Sequence, residues 1–117
     1  MFDLRRFLLG FGFSILLASA SLADEQDMLG PGEWPTTVDA VVTDLLNTLS
    51  AEDKEMVRKT AFGDLIRFHH GWGTGIRNHY GLWRGNSALI ADACGGPCHP
   101  DDASMRIIEA VWKALQE

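Results

Sequence analysis

The chain has 117 residues, with 16 acidic side chains against 10 basic ones and a formal net charge of −6. That length supports one domain, burying about 60–70% of its unfolded surface on folding. The acidic balance excludes nucleic acid and anionic membrane surfaces as partners, since both require clustered Lys and Arg.

The N-terminus has the order of a cleaved secretory signal. Arg5 and Arg6 precede an apolar run from Phe7 to Leu17, interrupted by Gly10, Gly12 and Ser14, and Ser21-Leu22-Ala23 places small residues at the −3 and −1 positions. This predicts a signal peptide over 1–23, with cleavage after Ala23, or alternatively after Ala20. The apolar run is shorter than the ~20 residues that a membrane span needs, so an uncleaved anchor is the weaker reading. The residues around Arg5-Arg6 fit a twin-arginine signal poorly, and no Cys stands at the cleavage point to carry a lipid. The expected location is therefore periplasmic or secreted, with no stable membrane anchor after cleavage. Residues 1–23 hold Asp3, Arg5 and Arg6, so the remaining 94 residues carry 8 basic and 15 acidic side chains, a net of −7.

Residues 24–35 read as a flexible acidic lead-in, and 36–117 as an all-α domain of about five short helices. Thr36 or Thr37 can cap a helix in which Val38, Val41, Val42, Leu45, Leu46 and Leu49 recur at helical spacing. Ser50-Ala51-Glu52-Asp53 resembles a capping box, with Asp in the Glu position, and opens a charged helix through Lys59. Thr60 can cap a third helix, predicted from Ala61 to about His79, and Gly81 stops it. Asn86 or Ser87 caps a fourth, through Ala93. The Asp101-Asp102 pair marks the negative start of the last helix, which buries Ile107, Ile108, Val111, Trp112 and Leu115. No alternating run predicts a strand.

The stretch Leu65–Asn86 is the unusual part, with two Trp, three His and five Gly among otherwise amphipathic helices. Gly weakens a helix interior by up to ~1 kcal/mol relative to Ala, and buried Arg, Asn and His each need a partner. On a continuous helix Phe62, Leu65, Ile66, His69, Trp72, Gly73, Ile76 and Tyr80 share one side. His69, inside that stripe, is either a core imidazole satisfied by a carbonyl or carboxylate, or a ligand or base in a pocket. Arg77 is either paired with Asp101 or Asp102, or held ready for a substrate carboxylate. Gly71 and Gly75 fall on the opposite side, near Arg67, Phe68 and Asn78, where they clear a groove for a neighbouring helix or a partner. His69, His70 and His79 lack the spacing that puts two imidazoles on one metal.

Three segments together resemble a family of small bacterial helical domains of unknown function. They are IRNHYGLWRGN over Ile76–Asn86, HPDDAS over His99–Ser104, and TVDAVVTDLL over Thr37–Leu46. The resemblance extends from about Pro35 to Leu115 and implies a compact helical unit, with no catalytic residues to carry over. Gly63 in a first turn and the Gly-Gly-Pro-Cys run before His99 depart from the pattern.

Cys94 and Cys98 bracket Gly95-Gly96-Pro97, with His99 directly behind. In an exported protein such a pair is expected to form a structural disulfide. A redox-active dithiol is the alternative, although the spacing is not C-x-x-C and no βαβ pattern surrounds it. Covalent haem requires C-x-x-C-H, and zinc on Cys94, Cys98 and His99 has to outcompete oxidation. No metal and no cofactor are therefore expected, and no nucleophile motif points to a hydrolase. The expected function is a non-catalytic module that contacts a protein or small ligand through Trp34, Trp83, Arg84 and the Gly-lined face. A polar cluster of His69, Arg77, Asn78, Trp83, Arg84, Asn86, His99, Asp101 and Asp102 is the candidate site, either for binding or as structural support. A small redox or cofactor protein using Cys94, Cys98 and His99 is the alternative.

Overall fold

The computed structural model describes residues 28–117, so the signal-peptide reading over 1–23 lies outside the described residues. Five α-helices and one 3-10 segment follow in chain order, and no strand occurs among the described residues. None of the described helices is long and apolar enough to cross a membrane.

Helix α1 (Val38–Thr48) starts at Thr37, whose hydroxyl accepts from the Ala40 N–H at 3.2 Å. A second acceptor comes from across the fold, where Asp92 Oδ2 takes the Val38 N–H at 2.7 Å. Two orphan donors of the first turn are thus satisfied, which fixes where this helix begins. Ser50 caps α2 (Ala51–Lys59) by accepting from the Asp53 N–H at 3.0 Å. Glu52 and Asp53 sit at the positive end of its dipole, with Arg58 and Lys59 at the negative end.

The third predicted helix needs correction. The chain forms a 3-10 segment (Phe62–Phe68), breaks at His69–Gly71, and resumes as α3 (Trp72–His79). Thr60 does not cap it, since its hydroxyl donates backwards to the Met56 carbonyl at 2.8 Å and Ala61 offers no side-chain acceptor. Gly71, at φ −90 and ψ −84, then lies outside the helical region. The break turns the apolar stripe. Leu65, Trp72, Ile76 and Tyr80 are buried, but Phe62 and Ile66 emerge at 46% and 63% exposure while Phe68 goes inward.

Asn86, of the two predicted candidates, caps α4 (Ser87–Cys94), and Gly95 closes it in the left-handed conformation at φ 74. Helix α5 (Pro100–Leu115) begins one residue before the Asp101-Asp102 pair. Pro100 occupies the first turn, where its missing N–H costs nothing. The cap is His99, whose Nδ1 accepts from the Asp101 N–H at 3.0 Å.

Helix α5 is the element that every other one packs against: α1, α2, α3, α4 and the 3-10 segment all contact it. Val41, Leu45, Trp72, Ile76, Tyr80, Leu89, Ile107, Ile108 and Val111 are fully buried around its inner face. Each such side chain contributes roughly 1.5–3 kcal/mol by leaving water. Trp112 ties its C-terminal half to the end of α2, donating to the Thr60 carbonyl at 2.7 Å.

Candidate functional site

Arg77 is the centre of the polar cluster. It leaves the inner face of α3 at 5% exposure, and all three nitrogens of its guanidinium have partners within the chain. Nε lies 3.3 Å from Asp101 Oδ1, and Nη1 donates to Ser104 Oγ at 2.8 Å. Nη2 donates to the His69 carbonyl at 3.2 Å and to Thr74 Oγ1 at 3.0 Å. The His69 carbonyl belongs to the break between the 3-10 segment and α3, so the guanidinium occupies backbone that the interrupted helix has freed. Ser104 relays the contact by donating to the Asp101 carbonyl at 2.9 Å.

Gly73 makes this approach possible. A Cβ there would stand 3.0 Å from Arg77 Nη1 and 3.3 Å from the Phe68 carbonyl. Of the two glycines expected to clear a groove, Gly71 does not, because a Cβ there would meet open space, whereas Gly75 is buried.

Asp101 is also the nearest carboxylate to two imidazoles. Its Oδ2 lies 3.7 Å from His69 Nε2 and 3.7 Å from His99 Nδ1. His69 Nδ1 is buried without a hydrogen-bond partner, and its ring meets His70 edge-on at 4.8 Å. Asp102, one helix position further, faces outward and joins a different surface beside Phe62 and Ile66. No group of three or more His, Cys, Asp or Glu among the described residues is arranged to hold a metal ion.

The second half of the cluster is the turn after α3. Leu82 N–H bonds to the Arg77 carbonyl at 3.0 Å, and both Arg84 and Asn86 N–H groups bond to the Gly81 carbonyl at 2.9 and 3.0 Å. Asn86, at 2% exposure, uses all of its side chain. Its Oδ1 accepts from the Leu89 N–H at 3.3 Å, and its Nδ2 donates to the carbonyls of Tyr80 at 2.8 Å and Pro35 at 3.0 Å. Asn78 contributes backbone, its carbonyl accepting from Arg84 Nη2 at 2.8 Å.

Trp34 reaches this turn from the N-terminal side and lies against Gly81, which has φ +73 and no room for a Cβ under the indole. The Arg84 guanidinium covers the Trp34 ring at 5.3 Å. Leu29 is tied to the same corner, its N–H donating to the His79 carbonyl at 3.0 Å. Trp83 points the other way, at 54% exposure, with its ring edge-on to His99 at 5.4 Å. His99 thereby joins the two halves, as cap of α5 and as neighbour of Trp83.

Cys94 and Cys98 form a disulfide with a Cα–Cα distance of 6.3 Å. It links the last residue of α4 to the residue before the α5 cap. Ser104 and Thr74 were not singled out in the sequence as members of these clusters. Ser104 closes the HPDDAS segment, which was its only signal. A surface hollow of about 630 Å³ is bounded by charged residues of α2 and the 3-10 segment, such as Glu52, Lys59, Asp64 and Arg67, and contains no member of the predicted cluster.

These features define a small, disulfide-bonded all-α domain whose polar residues mainly lock helices and a turn together. The chain belongs to the family described as domain of unknown function DUF6794, whose model matches residues 34–115. That span opens at Trp34, packed on Gly81, and closes at the last residue of α5. No curated protein and no solved structure matches the chain.

Proposed function

We propose that this protein is exported and acts as a non-catalytic interaction module, presenting the Gly81–Asn86 turn to a protein or small ligand. The observation that carries this reading is Trp83, more than half exposed on a turn that the fold holds rigid. Indole and guanidinium groups dominate binding hot spots, and a contact loop that is already ordered loses little conformational entropy on association. Bonds from Leu82, Arg84 and Asn86 supply that order, and His99 fixes one edge of the indole. The polar residues beneath, Arg77, Asp101 and Ser104, satisfy one another and serve as the support.

Export rests on the Arg5-Arg6, apolar and Ser21-Leu22-Ala23 sequence at the N-terminus, and is supported by the Cys94–Cys98 disulfide, which persists in oxidising compartments. N-terminal sequencing of protein recovered outside the cytoplasm should begin at Asp24, and a retained Met1 overturns the exported reading. For binding, the protein and its Trp83→Ala variant are used as paired baits in the exported fraction. A partner retained by the first and weakened at least about thirtyfold in the second is expected, corresponding to the ~2 kcal/mol of a hot-spot residue. Identical retention by both removes Trp83 from the contact.

A further inference from the structure

Phe62 and Ile66 are large apolar side chains that the 3-10 segment turns outward. They border a shallow hollow of about 380 Å³ whose opposite wall is α5, at Asp102, Met105, Arg106 and Glu109. Two exposed apolar side chains beside a half-buried Met form a patch that water solvates poorly. The charges that frame it identify what could cover it.

The outward stripe of α5 reads Asp102, Arg106, Glu109, Lys113, which alternates minus, plus, minus, plus. Steps of four, three and four residues keep these side chains on one face of the helix. Within the chain the order gives an exposed pair, Arg106 Nη1 to Glu109 Oε1 at 3.5 Å. Such exposed pairs add little stability. The order also has a property that only some charged faces share, because every sign inverts when it is read backwards. Two copies of α5 laid antiparallel, about a twofold axis level with Ile107 and Ile108, would set Asp102 against the second copy's Lys113. Arg106 would face the second copy's Glu109. This is the self-complementarity that an isologous interface requires.

We propose that the face formed by the 3-10 segment and α5 binds a second copy of this chain, with Phe62 and Ile66 seated at the contact and the α5 helices antiparallel. The proposal is independent of the Trp83 reading, which concerns a different partner. With two main apolar anchors the interface falls at the small end of the specific range, so the dimer forms at high concentration.

Sedimentation equilibrium of the protein as recovered from cells, carried from micromolar to millimolar concentration, tests it. A monomer–dimer equilibrium is expected. Ile66→Asp and Arg106→Glu should each weaken it by about tenfold or more while leaving the helical circular dichroism unchanged. The exchange Arg106→Glu with Glu109→Arg should restore association, because it re-creates the opposed charges in reverse. A chain that stays monomeric at millimolar concentration overturns the proposal, as does a dimer that tolerates Ile66→Asp. Failure of the exchange to restore association overturns the antiparallel register.

Discussion

Arg77 and Asp101 join α3 to the first turn of α5, with Nε 3.3 Å from Oδ1. The guanidinium is buried and the carboxylate is partly exposed, so removing either partner leaves the other differently placed. Arg77→Leu abandons Ser104 and Thr74 as well as the carboxylate. It should cost about 2–4 kcal/mol, within the range for breaking a buried polar network. Asp101→Asn should cost about 1 kcal/mol, because solvent reaches its side chain. The double variant should lose less than the sum, and denaturant titration of the four-member cycle checks this. Asp102→Asn should be near neutral. Simple additivity of Arg77→Leu and Asp101→Asn would show that the pair is not coupled.

Gly81 and Trp34 give a second measurable dependence. Gly81→Ala must hold a left-handed backbone, at about 1–2 kcal/mol, and also place a methyl group inside the Trp34 ring. The total loss should reach at least about 2–3 kcal/mol, with the overlap adding to the backbone cost. Trp34→Ala removes the overlap but not the backbone cost. The pair should therefore be strongly non-additive, with Gly81→Ala much milder in the Trp34→Ala background. Equal effects in both backgrounds would mean that the indole does not lie on Gly81.

Tyr80 is the sole tyrosine and is fully buried in the core. Burial first, and then the hydrogen bond and negative charge of Asp44, push its ionisation far above the usual phenol range. An unfolded tyrosine ionises near pH ~10, so the folded state holds its proton where the unfolded state has released it. The contribution to stability is complete below that pH and declines as pH rises above it. Tyrosinate absorbance should therefore appear only together with the loss of helical circular dichroism. Ionisation of an intact helical protein near pH ~10 would contradict the burial. Tyr80→Phe should remove this alkaline dependence at about 1 kcal/mol, through the lost bond to Asp44.

The helices with local instructions were legible in the sequence. Thr37, Ser50 and Asn86 each carry a side-chain oxygen at the right distance from an apolar repeat, and the structure uses all three as caps. The need of Arg77 for a carboxylate followed from the cost of a buried charge. Selection of Asp101 over Asp102 did not, because it depends on the rotation of α5 and on a cap, His99, that is an imidazole instead of the usual hydroxyl or carboxylate. The break at His69–Gly71 was hidden for a related reason. Leu65, Trp72, Ile76 and Tyr80 fit one continuous stripe, and the exposure of Phe62 and Ile66 with the burial of Phe68 reveals the change of phase. Trp34 on Gly81 is a contact between segments distant in sequence, which periodicity does not encode.

The disulfide gives the last prediction. Cys94–Cys98 closes a very short loop, so the unfolded chain loses little freedom from it, and the stabilisation should be at most about 2 kcal/mol. For a domain of this size that corresponds to roughly ten degrees of Tm or less. Its position matters more than its energy, since it fixes the chain between Gly95, which ends α4, and His99, which caps α5. Reduction, or Cys94→Ser with Cys98→Ser, should leave the helical circular dichroism intact and lower Tm modestly. It should loosen the edge-on contact between His99 and Trp83, read as a shift in indole fluorescence. A structural disulfide also predicts that the double variant still binds its partner, more weakly to the extent that Trp83 is loosened, and that denatured, air-exposed protein shows no free thiols. Loss of all helical structure on reduction would contradict the loop-length argument. Two free thiols in the exported protein would overturn the structural role, and a dithiol that cycles with a defined potential would replace it with a redox one.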